Sequence, residues 1–290
     1  MSAPLPSRDS RREEFFVGYL PPPAGVSRFM RRICVALLFA CAIAGSVLPL
    51  YQRDPGAGSW DAANVQSFEG ILTVDPFPMI RLAPGHVLRN PDRACLITES
   101  GKLGARRRCE PFAHRGVRLR GTIMQREGYA LIELAPGDDA IVALDEPGAH
   151  LHDDPLLSPP PHPPVTTAIR GQIIDPKCFL GAMKPGEGKP HRACAALCLA
   201  GGIPPLLAAR LPDDAHELFL LVGPDRQPLS AAFVPFAGDG VELRGVVFRL
   251  YGWNVVACDP DSIRRLESGA DRGYLPSQHP RRDSNARPAL

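Results

Sequence analysis

Pro111-Phe112-Ala113 followed by Gly116-Val117-Arg118-Leu119-Arg120-Gly121 recurs as Pro235-Phe236-Ala237 followed by Gly240-Val241-Glu242-Leu243-Arg244-Gly245, at a constant offset of 124 residues. A repeat that keeps register through a turn and a strand obliges the chain to build one supersecondary plan twice. The register reaches forward to Gly128, which maps on Gly252, and back to Cys95-Leu96-Ile97-Thr98, which maps on Phe219-Leu220-Leu221-Val222. Further upstream, Glu69-Gly70-Ile71-Leu72 matches Arg170-Gly171-Gln172-Ile173 at an offset of 101, so the second copy has gained 23 residues between these anchors. Each copy reads as a strand with a Gly, a central strand and a V-x-L-R-G-x-[IV] hairpin returning after Gly128 or Gly252. About five short strands per copy predict a mostly β chain with two tandem OB-like small barrels, a β-sandwich being the alternative. The 33 prolines and 27 glycines among 290 residues favour the same short strands and loops over long helices.

The residues gained by the second copy carry the chain's one convergence of ligand chemistry. They read D-P-K-C from Asp175 to Cys178, a Gly/Lys/Pro loop, then H-R-A-C-A-A-L-C-L-A-G-G from His191 to Gly202. Pro190 at a first turn and Gly201-Gly202 at a stop predict a short helix. His191, Cys194 and Cys198 then share one face, at i, i+3 and i+7. Cβ atoms four residues apart on a helix are about 5–6 Å apart, against the ~3.8 Å a disulfide requires, so Cys194 and Cys198 should not pair while helical. Cys178, arriving from a strand end, either bonds to one of them or completes a Cys3His metal set with both and His191. Asp175 then serves as a ligand or as the hydrogen-bond partner of His191. The implied cofactor is a transition metal, zinc or copper. The competing readings are a disulfide from Cys178 to one helix cysteine with the rest packed, and a catalytic thiol.

Ile33 to Tyr51 holds no charged residue over 19 positions and is preceded by Arg28, Arg31 and Arg32. That length spans a bilayer, and the flanking arginines place residues 1–32 in the cytoplasm and everything after Tyr51 outside. A cleaved signal peptide is the alternative, since Ala42-Ile43-Ala44 before Gly45 resembles a cleavage site, but a polar leader of 32 residues is long for one. Leu38-Phe39-Ala40-Cys41 makes a poor lipid-attachment box because Phe39 is bulky. The expected organisation is a cytoplasmic tail at 1–32, a membrane helix at 33–51, a first OB-like domain at 60–148, a Pro-rich linker at 149–165, a second OB-like domain at 166–266 and a disordered tail at 267–290. Phe15-Phe16-Val17-Gly18-Tyr19-Leu20-Pro21 suits an interfacial anchor.

Export favours disulfides among the six remaining cysteines, although exported zinc and copper sites keep thiolates protected by metal. Cys95 and Cys109 map on Phe219 and Phe233, so they are expected as core neighbours able to form a disulfide. Cys258 maps on Leu134 and is expected as a buried apolar substitute, while Cys34 and Cys41 fall in the membrane helix. His150, His152 and His162 lie in H-L-H-D-D-P-L-L-S-P-P-P-H-P-P, read as a stiff tether.

Other chemistries fail on their residues. Gly181 to Gly186 begins like a phosphate loop, but Glu187 stands where its Lys would be and no Ser or Thr follows. There is no G-x-S-x-G, no H-E-x-x-H, no dinucleotide fingerprint, and neither the C-x-x-C nor the βαβ pattern of a thioredoxin-type oxidoreductase. A net charge of +2 and 7% aromatic residues argue against nucleic acid as a partner. Lys177, Lys184 and Lys189, three of only four lysines, flank the cysteines, where cations favour thiolate.

The string D-x-x-C, Gly-rich loop, H-x-x-C-A-x-x-C, G-G-I-P-P resembles a small exported bacterial domain. Together with F-F-V-G-Y-L-P before a single span, the whole arrangement looks like an uncharacterised family of membrane-anchored proteins carrying that domain. The resemblance covers nearly the whole chain and brings no activity with it. The residues themselves give the expectation: a single-pass protein of the bacterial inner membrane with both barrels periplasmic. Its second barrel binds a metal as an accessory to a membrane redox or assembly system, with a membrane redox complex or an assembly factor as its partner, rather than as an enzyme. A structural or interaction module and a thiol-disulfide protein are the alternatives.

Overall fold

The computed structural model describes residues 23–51, 58–83, 93–144, 157–158, 165–211 and 215–266. Phe15 to Pro21, the linker histidines His150, His152 and His162, and the tail from Glu267 lie outside the described residues. The chain divides into two units, Met1–Asp54 and Pro55–Leu290.

In the first unit, helix α1 (Ala24–Tyr51) starts directly after Pro23 and contains the uncharged stretch whole. It begins nine residues before Ile33, so Arg28, Arg31 and Arg32 sit in its opening turns. It is long and apolar enough to cross a membrane, a property that signal sequences share. Cys34 and Cys41 are exposed on its surface.

The second unit contains both repeats. In the first, β1 (Gln66–Thr73), β2 (Met79–Leu82), β3 (Cys95–Thr98), β4 (Gly116–Arg126) and β5 (Tyr129–Leu134) form a ring of pairings. β1 pairs with β2, β2 with β3 and β5 with β4, β4 returns to β1, and the parallel pair β3–β5 closes the barrel. In the second, β6 (Thr166–Ile174), β7 (Leu206–Arg210), β8 (His216–Val222), β9 (Gly240–Leu250) and β10 (Trp253–Cys258) repeat those pairings one for one, with β8–β10 parallel. The register repeats as well: Leu96 faces Leu131 and Leu220 faces Val255, each displaced by the repeat offset.

Local sequence explains each element. Along β4, Val117 and Leu119 are buried while Arg118 and Arg120 are exposed, the alternation of a strand with one face inward. Gly121 and Gly245 occupy the same point of the β4–β5 and β9–β10 pairs. A Cβ there would lie 2.3 Å from the Glu133 carbonyl oxygen in one copy and 2.4 Å from that of Ala257 in the other, so any side chain would push the neighbouring strand away. The hairpins turn at Glu127-Gly128 and Tyr251-Gly252, all four with positive φ, as a two-residue type I′ connection requires. Cross-strand Glu69–Arg118 recurs as Arg170–Glu242 with the charges exchanged between strands. These exposed pairs contribute little energy, but the exchange shows one contact kept through duplication.

The inward faces form two separate cores, one around Leu72, Ile97 and Leu119 and the other around Phe219, Leu221 and Leu243. The outward faces of the same strands form a third, which spans both barrels through Leu96, Leu131 and Tyr129 on one side and Leu220, Val255 and Trp253 on the other. The Tyr129 and Trp253 rings meet with centroids 5.2 Å apart. Arg93 lies over the Tyr129 ring and donates to the carbonyls of Gly128 and Gly252, the two repeat-related turns. Trp253 Nε1 donates to the Ala94 carbonyl, while Tyr129 Oη accepts from the Leu218 amide, so each barrel's aromatic is held by the other's strand.

A polar cluster seals one side of this layer. Arg126 and Glu127 of the first barrel meet His216 and Glu187 of the second, His216 Nδ1 lying 3.3 Å from Glu127 and Nε2 3.4 Å from Glu187. Burial opposes charge on Glu127 and His216, yet their mutual hydrogen bonds outweigh it, drawing Glu127 down to about 2 and raising His216. The lowered carboxylate contributes stability above its unfolded value near 4.5 and loses it as pH falls, while the raised histidine contributes fully below 6.5 and loses it as pH rises through its folded value. The thermal midpoint of the two-barrel unit is therefore expected to peak between pH 4.5 and 6.5 and to fall on the alkaline side. Scanning fluorimetry across pH checks this, with His216→Gln flattening the decline between pH 6.5 and 9, while above 9 the buried thiols of Cys95, Cys109 and Cys258 still cost stability because they ionise on unfolding.

Candidate functional site

The 31 residues between β6 and β7, set against five between β1 and β2, hold the sequence-identified ligands. Asp175 follows directly on β6, and Cys178–Ala182 wind as a short helical turn from it. Lys189–His191 form a further turn that leads into helix α2 (Arg192–Ala200), which stops where Gly201 N–H donates to Leu197 and Gly202 takes a φ of 90°. His191 thus caps the helix instead of opening it, with the i, i+3, i+7 face preserved. Cys198, Ala195 and Leu199 are buried, His191 is 1% exposed, and Cys194 lies half-buried at the edge.

The structure brings together every residue of the expected set, in two overlapping groups that share Cys178. Cys178, Cys194 and Cys198 have sulfurs within 4.8 Å of one another, and Asp175, Cys178 and His191 form the second group at the same limit. The expected single Cys3His sphere is thereby divided. His191 Nε2 lies 2.7 Å from Asp175 Oδ2, and the other carboxylate oxygen accepts the Cys178 amide at 2.9 Å. Asp175 is completely buried, so it ties the imidazole to the backbone that carries Cys178. His191 Nδ1 is buried without a hydrogen-bond partner.

The cation at the sulfurs is one that sequence reasoning missed. Lys102, from the first barrel, places Nζ 2.7 Å from Cys194 Sγ and 3.9 Å from Cys198 Sγ. The thiols hold the Lys102 proton more tightly, first through the Cys194 hydrogen bond. A hydrogen bond from Cys178 brings the Cys198 thiol down to about 7, aided by the Lys102 charge, whereas sharing that bond and burial raise Cys178. Lys177 turns away from the sulfurs: its buried ammonium pairs with Glu133 and donates to the carbonyls of Glu99 and Gly101, all in the first barrel. Lys184 and Lys189 are exposed on the loop. The one available signal for Lys102 was its rarity, as the fourth lysine of the chain, in a turn between Gly101 and Gly104.

Backbone contact locks the two loops together. Gly104 N–H donates to the Gly201 carbonyl at 2.9 Å, and a Cβ on Gly201 would stand 1.8 Å from the Lys102 carbonyl oxygen. A site expected to belong to the second repeat alone is therefore built from both.

All eight cysteines are free thiols. Cys95 and Cys109, expected as core neighbours able to form a disulfide, share the first barrel's core as buried thiols, and burial pushes each up to about 12. Cys258 is a core residue opposite Gly245, likewise pushed up to about 12 by burial. The alternative bridge from Cys178 to a helix cysteine is not formed in this structure, where Cys178 and Cys194 stand 3.8 Å apart sulfur to sulfur.

Comparison with protein-family models, with curated proteins and with solved structures finds no match for this chain.

Asp175→Ala strips a partner from the Cys178 amide and from His191 in a dry environment, so a loss of about 2–4 kcal/mol in urea unfolding is expected. Asp175→Asn keeps an acceptor for the amide and should cost clearly less.

Proposed function

We propose that this protein is a single-pass, membrane-anchored accessory whose two OB-like barrels lie in the periplasm and whose inserted segment binds a thiophilic transition metal, zinc or copper, through Cys178, Cys194 and Cys198. One observation carries the reading. With metal–sulfur bonds of about 2.3 Å, the edge of a tetrahedron of thiolates is about 3.8 Å; Cys178 and Cys194 are 3.8 Å apart, and all three sulfurs fall within 4.8 Å. Three soft sulfurs suit zinc or copper(I) far better than the hard cations.

Asp175 and His191 support the site from behind by fixing the backbone and orientation of Cys178, the role that carboxylates and histidines take next to ligands. Lys102 stands on the half-buried side of the site, at Cys194, the side from which a fourth ligand would come. The barrel assignment is supported by the strand order, with three strands paired in sequence and a parallel closure from the third to the fifth. Anchoring and export are supported by α1 and its arginines. A membrane redox complex or an assembly factor is the class of partner that a tethered metal module would serve, in keeping with the resemblance of the motif to exported bacterial domains.

The test is elemental analysis and thiol counting on the full chain in detergent, after anaerobic reconstitution with zinc or with copper(I). About one metal per chain and protection of three thiols are expected, with Cys194→Ser lowering affinity by two orders of magnitude or more, about 3 kcal/mol. Absence of stoichiometric metal under both conditions overturns the reading. Topology has its own check, in that a reporter fused after residue 165 should be active only outside the cytoplasm.

A further inference from the structure

The three sulfurs differ in a way that metal binding does not require. Cys198 is 1% exposed and Cys178 6%, while Cys194 alone reaches the half-buried edge of the site. Lys102 Nζ contacts that outer sulfur at 2.7 Å, and Cys178 waits 3.8 Å behind it. Cys194 and Cys198 sit four residues apart on α2, with Cβ atoms about 5–6 Å apart, too far for a disulfide on an intact helix. Cys178 belongs to a different segment and has no such restriction. The site therefore has one accessible sulfur, one sulfur able to bond to it, and a fixed cation beside the first.

We propose that the metal-free site is a dithiol reductant of an exposed disulfide on a partner, with Cys194 as the attacking thiol and Cys178 as the resolving one. The reaction balances without a further reagent. The Cys194 sulfur attacks one sulfur of the partner disulfide, forming a mixed disulfide and expelling one partner thiolate. The Cys178 sulfur then attacks Cys194 Sγ, which releases the second partner thiolate and leaves a Cys178–Cys194 disulfide. Two electrons pass from the protein thiols to the partner, and the two thiol protons end on the two released partner thiols. Lys102 Nζ donates to Cys194 Sγ, and the Gly104–Gly201 backbone bond holds its loop in place. The couple needs no C-x-x-C spacing, because its two members come from different segments brought together by the fold.

The experiment uses the reduced, chelator-treated full chain in detergent with bis(2-hydroxyethyl) disulfide, a neutral probe that Lys102 does not attract. Acid quenching, alkylation and peptide mass mapping read the products. Expected are two mercaptoethanol molecules released per chain and a single new disulfide, Cys178–Cys194. Cys178→Ser should stop at the mercaptoethanol adduct on Cys194, and Cys194→Ser should release none. Lys102→Met, which removes the hydrogen bond to Cys194 Sγ, should slow the first step about tenfold, and Lys102→Arg should restore most of it, a pattern that a merely structural lysine would not give. A Cys178–Cys198 product, an adduct first on another cysteine, or no reaction at Cys194 in a wild-type chain with native circular dichroism overturns the proposal. Metal titration of the same reduced preparation is scored separately, so loss of one activity leaves the other measurable.

Discussion

The apolar layer between the two barrels is the contact on which the rest of the structure depends. Each repeat could have closed its barrel around its own core and left its outer strands to solvent. Instead the outward residues Leu96, Leu131 and Tyr129 meet Leu220, Val255 and Trp253, so the third and fifth strands of both copies are buried on both faces. Burial of large apolar side chains is the strongest favourable term available to a fold of this size. Here it joins two repeats into one unit along an approximate twofold relation: Arg93 grips both hairpin turns, Tyr129 reaches Leu218 in the other barrel's third strand, and Trp253 reaches the repeat-equivalent Ala94 just before its third strand.

That layer fixes where the charged groups can go. With the barrels docked, the turn from Glu99 to Gly104 lies against the end of α2, and two lysines cross the seam in opposite directions. Lys177 of the second barrel is buried among Glu133 and two carbonyls of the first, and Lys102 of the first stands at the sulfurs of the second. A buried ammonium is tolerable only with such partners, and removing any of them leaves a charge in a dry place. These contacts specify the docking more than they strengthen it, because each is satisfied in a single relative placement of the two barrels.

The site inherits its polarity from this arrangement. Asp175 and His191 are sealed on the inner side, where the carboxylate organises both the imidazole and the Cys178 amide. The opposite side is left to Cys194 and Lys102. Duplication supplied the scaffold, since the first copy joins its equivalent strands with only five residues. The added segment is held against the sister barrel by the Gly104–Gly201 bond and by Lys177.

Much of this was legible in the chain. Alternation along Val117 to Arg120 and Val241 to Arg244, turn chemistry at Gly128 and Gly252, and the constant offset specify strands, hairpins and duplication, because each depends on neighbours within a few residues. The shared face of His191, Cys194 and Cys198 follows from helical periodicity alone. What the sequence left open is set by contacts between residues far apart along the chain. Lys102 and Cys194 are separated by 92 positions, and no local pattern relates a turn in one repeat to a helix inserted in the other. The runs Cys95 to Thr98 and Phe219 to Val222 are buried throughout, but no local pattern identifies what covers their outer face. Only tertiary structure decided that Asp175 serves His191 and Cys178 together, and only docking of the barrels that Lys102 stands at the sulfurs and that the site belongs to both repeats. The physical reason is that side-chain periodicity encodes which face is buried, while the partner that buries it is chosen by the shape and charge of a surface that exists only after both barrels have closed.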